Sequence, residues 1–259
     1  MSPVRSIPMA ALAVFGTWLF SGCASQSSMS PHESGKVFLP SQDAMADVAA
    51  AQEIAETGNK LVLVIFGANW CHDSRALAAR LYQQPLAAII DDHYETVYVD
   101  VGYLDQGRNV ARELGTPIYY ATPTVLITDP ATGRLVNAAD RHQWGSAASI
   151  GMDETIEYFE RMADVENRLA LRSGEPVPAD IRREIFDYEE RLAQKVARGY
   201  QRVGPMLRAY KEGGEVPASF EDDWTEVADF RNSVPGIIES LREEAHEAAV
   251  TSLELSLIH

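Results

Sequence analysis

The chain has 259 residues, 46% of them hydrophobic, and a formal net charge of −16. This length allows one substantial core plus an appendage. The acidic balance argues against nucleic acid or an anionic membrane surface as a partner and otherwise reads as solubility. The two cysteines, Cys23 and Cys71, stand in different kinds of sequence.

Residues 1–22 read as an export signal. A single basic residue, Arg5, precedes an apolar stretch from Ala10 to Phe20 that is too short to span a bilayer. Leu19-Phe20-Ser21-Gly22-Cys23 resembles the lipobox of bacterial lipoproteins, in which the cysteine becomes lipid-modified, although Phe20 stands where that pattern has an aliphatic residue. An ordinary cleaved signal peptide and an uncleaved anchor fit the same residues. Residues 23–40 include a Ser-rich run, SQSSMSPHESG, and read as a flexible tether. Ala24 resembles the residue found there in lipoproteins sorted to the outer membrane. The expected location is the bacterial cell envelope, facing the periplasm, with the membrane held through lipid on Cys23. Cys71 is then the only free thiol, and no intramolecular disulfide can form.

Pro40-Ser41 opens an Ala-rich helical pattern that ends at Gly58-Asn59. Leu61 to Phe66 is a short apolar run ending at Gly67, which suits a strand covered on both faces. A helix follows, with Leu77 and Leu81 four residues apart, and breaks near Pro85. Leu86 to Ile90 is a short turn or helix, Tyr94 to Val101 a strand, and Asn109 to Leu114 a short helix. A strand entered through Thr122-Pro123, turn chemistry at Asp129 to Gly133 and a returning strand over Arg134 to Asn137 come next. Asp153 to Arg172 is helical, with Ile156, Phe159, Met162, Val165 and Leu169 on one face.

Cys71 falls where the central strand gives way to a helix. The first helical turn exposes unpaired N–H groups and the positive end of the macrodipole, and both favour a thiolate. His72, if protonated, pushes the same way and Asp73 pushes back. An inert buried cysteine is the plain alternative. Trp70 either shapes a docking surface or is ordinary core, and Arg75 and Arg80 read as the solvated helix face. No metal or nucleotide pattern is present, and no cofactor is expected.

This element order, with an apolar strand feeding Trp-Cys and a Thr-Pro opening a later strand, resembles the thioredoxin fold over Ser41 to Ala163. The expected fold class is α/β, a mixed sheet flanked by helices, over residues 41–163, with a helical extension over 164–259. NWCHDS (Asn69 to Ser74) matches the family's Trp-Cys-x-x-Cys segment except at its last position, where Ser74 replaces the resolving cysteine. Thr122-Pro123 matches the family's cis-proline, which the resemblance places beside the nucleophile, presenting backbone to an extended substrate. The buried Asp of thioredoxin, thought to assist proton transfer, aligns with Ile65. The resemblance thus implies a sulfur open to solvent at a helix tip, with a proline-led edge alongside. Tyr119 and Tyr120 precede that edge closely enough to contribute to a substrate groove, while His142 and Trp144 line the same surface or sit in a plain loop.

Without a second thiol the two-cysteine cycle cannot close, because a serine hydroxyl is too poor a sulfur nucleophile to break a mixed disulfide. Monothiol exchange through Cys71 remains, with Ser74 supporting the thiolate. It would act on envelope proteins with thiols or disulfides, released by the client's own thiol, a small thiol or a reducing partner. The other course is a catalytically silent binding or assembly module acting through its C-terminal helices. In that extension Ile181, Ile185, Tyr188, Leu192 and Val196 form an amphipathic stripe, which either closes a small subdomain or recruits a partner. Asp180 reads as its cap. Gly204-Pro205 is expected to interrupt or bend the first long helix and Pro235-Gly236 to kink the second, with Ser252 to His259 frayed.

Overall fold

The structure, a computed structural model, describes residues 36–164 and 177–257. Arg5, Cys23, Ala24 and most of the tether lie outside the described residues, as do Val165 and Leu169. Helix α1 (Ala44–Gly58) is capped by Asp43, whose carboxylate accepts from the Ala46 amide, and closes on Asn59 in the left-handed region. Strand β1 (Leu61–Gly67) leads into α2 (His72–Leu81), followed by α3 (Leu86–His93) and β2 (Tyr94–Asp100). Then come α4 (Arg108–Glu113), β3 (Thr124–Asp129), β4 (Arg134–Leu135), a 3-10 helix (Gln143–Ser149) and α5 (Met152–Ala163).

The four strands lie in the order β2-β1-β3-β4. The β1–β2 pair is parallel and the other two are antiparallel. All seven β1 residues are buried because successive side chains leave the strand on opposite faces and both faces are covered. Val62, Val64 and Phe66 enter the core beneath α1 and α4. Leu61, Leu63 and Ile65 enter the one formed with α2, α3 and α5. Strand β4 stops earlier than the sequence suggests because the Asn137 side chain takes over the ladder. Its amide donates to the Val125 carbonyl and accepts from the Ile127 amide, at 2.9 and 2.8 Å.

The extension is two long antiparallel helices, α6 (Ala179–Glu212) and α7 (Phe220–Leu257). Pro178, not Asp180, caps α6, and Asp180 lies in its first turn, where a negative charge suits the dipole. Neither proline ends its helix, and the last helix outlasts the expected start of fraying at Ser252. Helix α6 runs through Gly204-Pro205, α7 runs through Pro235-Gly236, and α7 stays helical to Leu257. A proline removes only one intrahelical bond, and tertiary packing offsets the loss. At Gly204 the reason is visible: a Cβ there would stand 2.5 Å from the Tyr103 carbonyl oxygen, so the helix lies directly on that loop.

The α6 stripe is consumed inside the chain. Leu192, Val196, Tyr200, Val203 and Leu207 are buried in one cluster with Ile118, Tyr119 and Tyr120 of the sheet domain and Val234 and Ile238 of α7. It therefore packs between α7 and the sheet domain, closing the helical pair and docking it on the domain at once.

Candidate active site

Cys71 is the N-cap of α2, with extended backbone (φ −83°, ψ 127°), so its carbonyl receives the first helical bond, from Arg75, at 3.2 Å. The Thr122–Pro123 peptide is cis. The Cys71 thiol donates to the Thr122 carbonyl at 3.1 Å, bringing together two positions 51 residues apart in sequence. The sulfur and the proline-led edge are thus neighbours. The expected exposure is not met, since Cys71 is only 9% exposed. Its thiol has turned from water to a carbonyl that is itself buried.

Around the sulfur the sequence-derived candidates divide. Trp70 is half-buried, donates from Nε1 to the Gly102 carbonyl at 2.6 Å, and stacks on Tyr103 with centroids 6.2 Å apart. His72 is exposed in the first turn of α2. Asp73 accepts from the Ala148 amide at 3.0 Å, fastening α2 to the 3-10 helix. Arg75 and Arg80 are not merely solvated: they donate to the carbonyls of Asn69 and Ala147. Ser74 is fully buried and its hydroxyl has no hydrogen-bond partner, the Cys71 sulfur included. The expected support of a thiolate by Ser74 is therefore absent from this arrangement, because the thiol is engaged by Thr122. Ile65 is fully buried and brings no titratable group.

The tyrosines correct a second expectation. Tyr119 and Tyr120 are each 1% exposed and form the seat of α6 rather than an open groove. Tyr119 stacks on Tyr200, whose hydroxyl donates to the Tyr119 carbonyl at 3.0 Å. Trp144 is buried among Tyr158 and Phe159. The loop that carries it still reaches the proline turn, since a Cβ on Gly145 would meet that of Ala121 at 2.9 Å.

Sequence reasoning missed three contributors. Asn69 holds the arriving chain, accepting from the amides of Val37 and Phe38 at 3.1 and 3.2 Å and donating to the Phe38 carbonyl. Glu189, on α6, is 1% exposed and accepts from Arg141 at 2.7 Å and Arg242 at 2.9 Å. Tyr103 underlies Trp70 and carries Arg208 of α6 over its ring at 5.0 Å. Asn69 stood inside the NWCHDS segment and its amide was a signal; Glu189 stood beside Glu190 in a charged helix and offered none.

Burial, aided by Arg141 and Arg242, pushes the His142 imidazole down from 6.5 to about 2. The folded chain keeps this ring neutral, whereas the unfolded chain binds a proton below the ordinary value. The stabilisation is complete above that value and is lost as the pH falls toward the folded one. Urea unfolding between about pH 6 and about pH 4 should show His142→Gln losing less stability than the parent, by up to about 1.4 kcal/mol per pH unit.

A family model described as thioredoxin-like matches residues 43–130. Residues 43–130 form a thioredoxin-like domain. One solved structure similar to this chain is a disulphide isomerase from Xylella fastidiosa Temecula1, at 27% identity and a TM-score of 0.45. The match covers 49% of this chain and 98% of that one. No curated protein matches the chain. The thioredoxin-like domain brings together the Trp-Cys turn and the Thr122–Pro123 edge, the 3-10 segment beyond it reaches Asp73 and Ala121, and the helical extension covers Tyr119 and Tyr120 beside them.

Proposed function

We propose that this chain carries out monothiol thiol–disulfide exchange through Cys71, reducing or shuffling disulfides in extended segments of envelope proteins. The observation that carries the reading is the Cys71 thiol at a helix N-terminus, 3.1 Å from the carbonyl that precedes cis-Pro123. An incoming strand would pair with backbone beside that proline, as in the resemblance to the thioredoxin fold, and because Cys71, Thr122 and Pro123 are buried it would have to displace the Thr122 carbonyl to lay its disulfide against Sγ.

In the exchange, Cys71 gives up its proton to solvent, the thiolate attacks one client sulfur, and a Cys71–client disulfide forms as the client S–S bond breaks. The departing client thiolate takes up a proton. With no second thiol in the turn, the mixed disulfide is broken by a thiolate from outside it. If that thiolate is the client's own, the net result is a rearranged client with no change in oxidation. If a small thiol or a reducing partner supplies it, a further thiol attack completes reduction of the client, and the donor is oxidised. His72, exposed in the same turn, would contact the client, and Trp70 would form one wall of its docking surface. Lipid on Cys23 would hold the domain at the outer membrane, facing the periplasm.

A small enzyme carrying scrambled disulfides is the direct test. With a trace of thiol, the wild-type chain should restore its activity faster than thiol alone, and Cys71→Ala should not. Equal recovery with both proteins would leave the binding-module alternative in its place.

A further inference from the structure

The two flanks of the Thr122–Pro123 turn lead to one carboxylate on the helical extension. Before the turn, the Tyr120 hydroxyl donates to Glu189 Oε1 at 3.3 Å. After it, the Val125 amide donates to the Arg141 carbonyl at 3.4 Å, and the Arg141 side chain donates to the same Glu189 oxygen at 2.7 Å. Glu189 Oε2 accepts from Arg242 of α7 at 2.9 Å. Within the turn, the Thr124 hydroxyl donates to the Ala121 carbonyl at 2.8 Å, so the segment between the two flanks is itself braced. Three donors converge on two oxygens that only a carboxylate supplies, since an amide would turn one NH2 against an arginine.

We propose that Glu189 is a positioning residue for the Cys71 site: by fixing Tyr120 and Arg141 it sets where the Thr122 carbonyl lies, and so whether the Cys71 thiol has its acceptor. The extension is then a working part of the site rather than a neighbour. The consequence for exchange rests on the proposed function; the geometric claim does not. A purely structural Glu189 would fasten the extension and leave the thiol where it is.

The two are separated by the infrared S–H stretch of Cys71 in the full chain, isolated as the difference between wild type and Cys71→Ala. In the parent it should sit at the position of a hydrogen-bonded thiol. Glu189→Gln keeps the shape and removes the charge, and Tyr120→Phe removes one hydroxyl and keeps the ring. In both, the band should move toward a weakly bonded thiol, and the rate of Cys71 with a small aromatic disulfide should change on the order of tenfold. Val227→Ala, which loosens the helix crossing against Gly199, should lower stability and move neither. An unshifted band in folded Glu189→Gln overturns the proposal, as does a Val227→Ala shift of the same size. If Glu189→Gln does not fold, Tyr120→Phe decides alone by the same band. A wild-type thiol that reacts with no disulfide defeats the exchange reading, while the band still decides the positioning.

Discussion

Ser74→Cys should let the protein close a disulfide between Cys71 and the introduced thiol on oxidation, visible as a loss of two hydrogens in the intact mass. Cys71 is the N-cap and position 74 the third residue of the first turn, so the two side chains are neighbours one turn apart, and the Cys71 sulfur needs only to leave the Thr122 carbonyl to meet a second one there. The Ser74 hydroxyl is buried without a partner, so replacing it removes no hydrogen bond. A thiol is also less costly than a hydroxyl to bury dry. Ser74→Ala should accordingly raise stability by about 1 kcal/mol in urea unfolding. The larger effect is kinetic. A second sulfur in the turn resolves a mixed disulfide from within, and such proximity should speed release of a trapped client by about a hundredfold or more over millimolar external thiol. Release no faster than in the parent would mean that position 74 does not face Cys71.

Glu189→Ala should cost about 3–5 kcal/mol and lower the melting temperature by about 10 °C, read by circular dichroism. The magnitude follows from what remains. The Arg141 side chain is 2% exposed, and without Glu189 its charge is held in the interior unpaired. Arg242, one-third exposed, can turn to water. Glu189→Met combined with Arg141→Met should therefore recover most of the loss, since replacing a buried pair with apolar side chains is far less damaging than breaking it. The surface pair Arg208–Asp105, about half exposed on both sides, should by contrast contribute no more than about 1 kcal/mol.

The domain was legible because its signals are local. The apolar run Leu61–Phe66, the cap at Asn59 and the Pro-Thr start of β3 each carry their own backbone chemistry. Cys71 was legible for the same reason, as a cysteine at a strand-to-helix junction. What escaped depends on approach between distant segments. Nothing in Tyr119 or Tyr120 says that a helix far along the chain will cover them. Nor does the stripe of α6 announce which surface will receive it, and Gly204 looked like a break because only the Tyr103 carbonyl explains its missing side chain. The inward turn of the Cys71 thiol is of this kind too, since its acceptor lies 51 residues away. Asn137 ended β4 by a side-chain bond to the backbone that strand propensity does not register.

The central claim is that Cys71 forms a covalent but reversible link to a client chain. The most direct measurement mixes the purified full chain with an extended peptide containing one disulfide, quenches with acid and weighs the products. Exchange through Cys71 predicts an adduct equal to one peptide half, mapped to Cys71, absent from Cys71→Ala, and lost on adding a small thiol. An adduct-free Cys71 under conditions where the peptide's disulfide is reduced by free cysteine would contradict it.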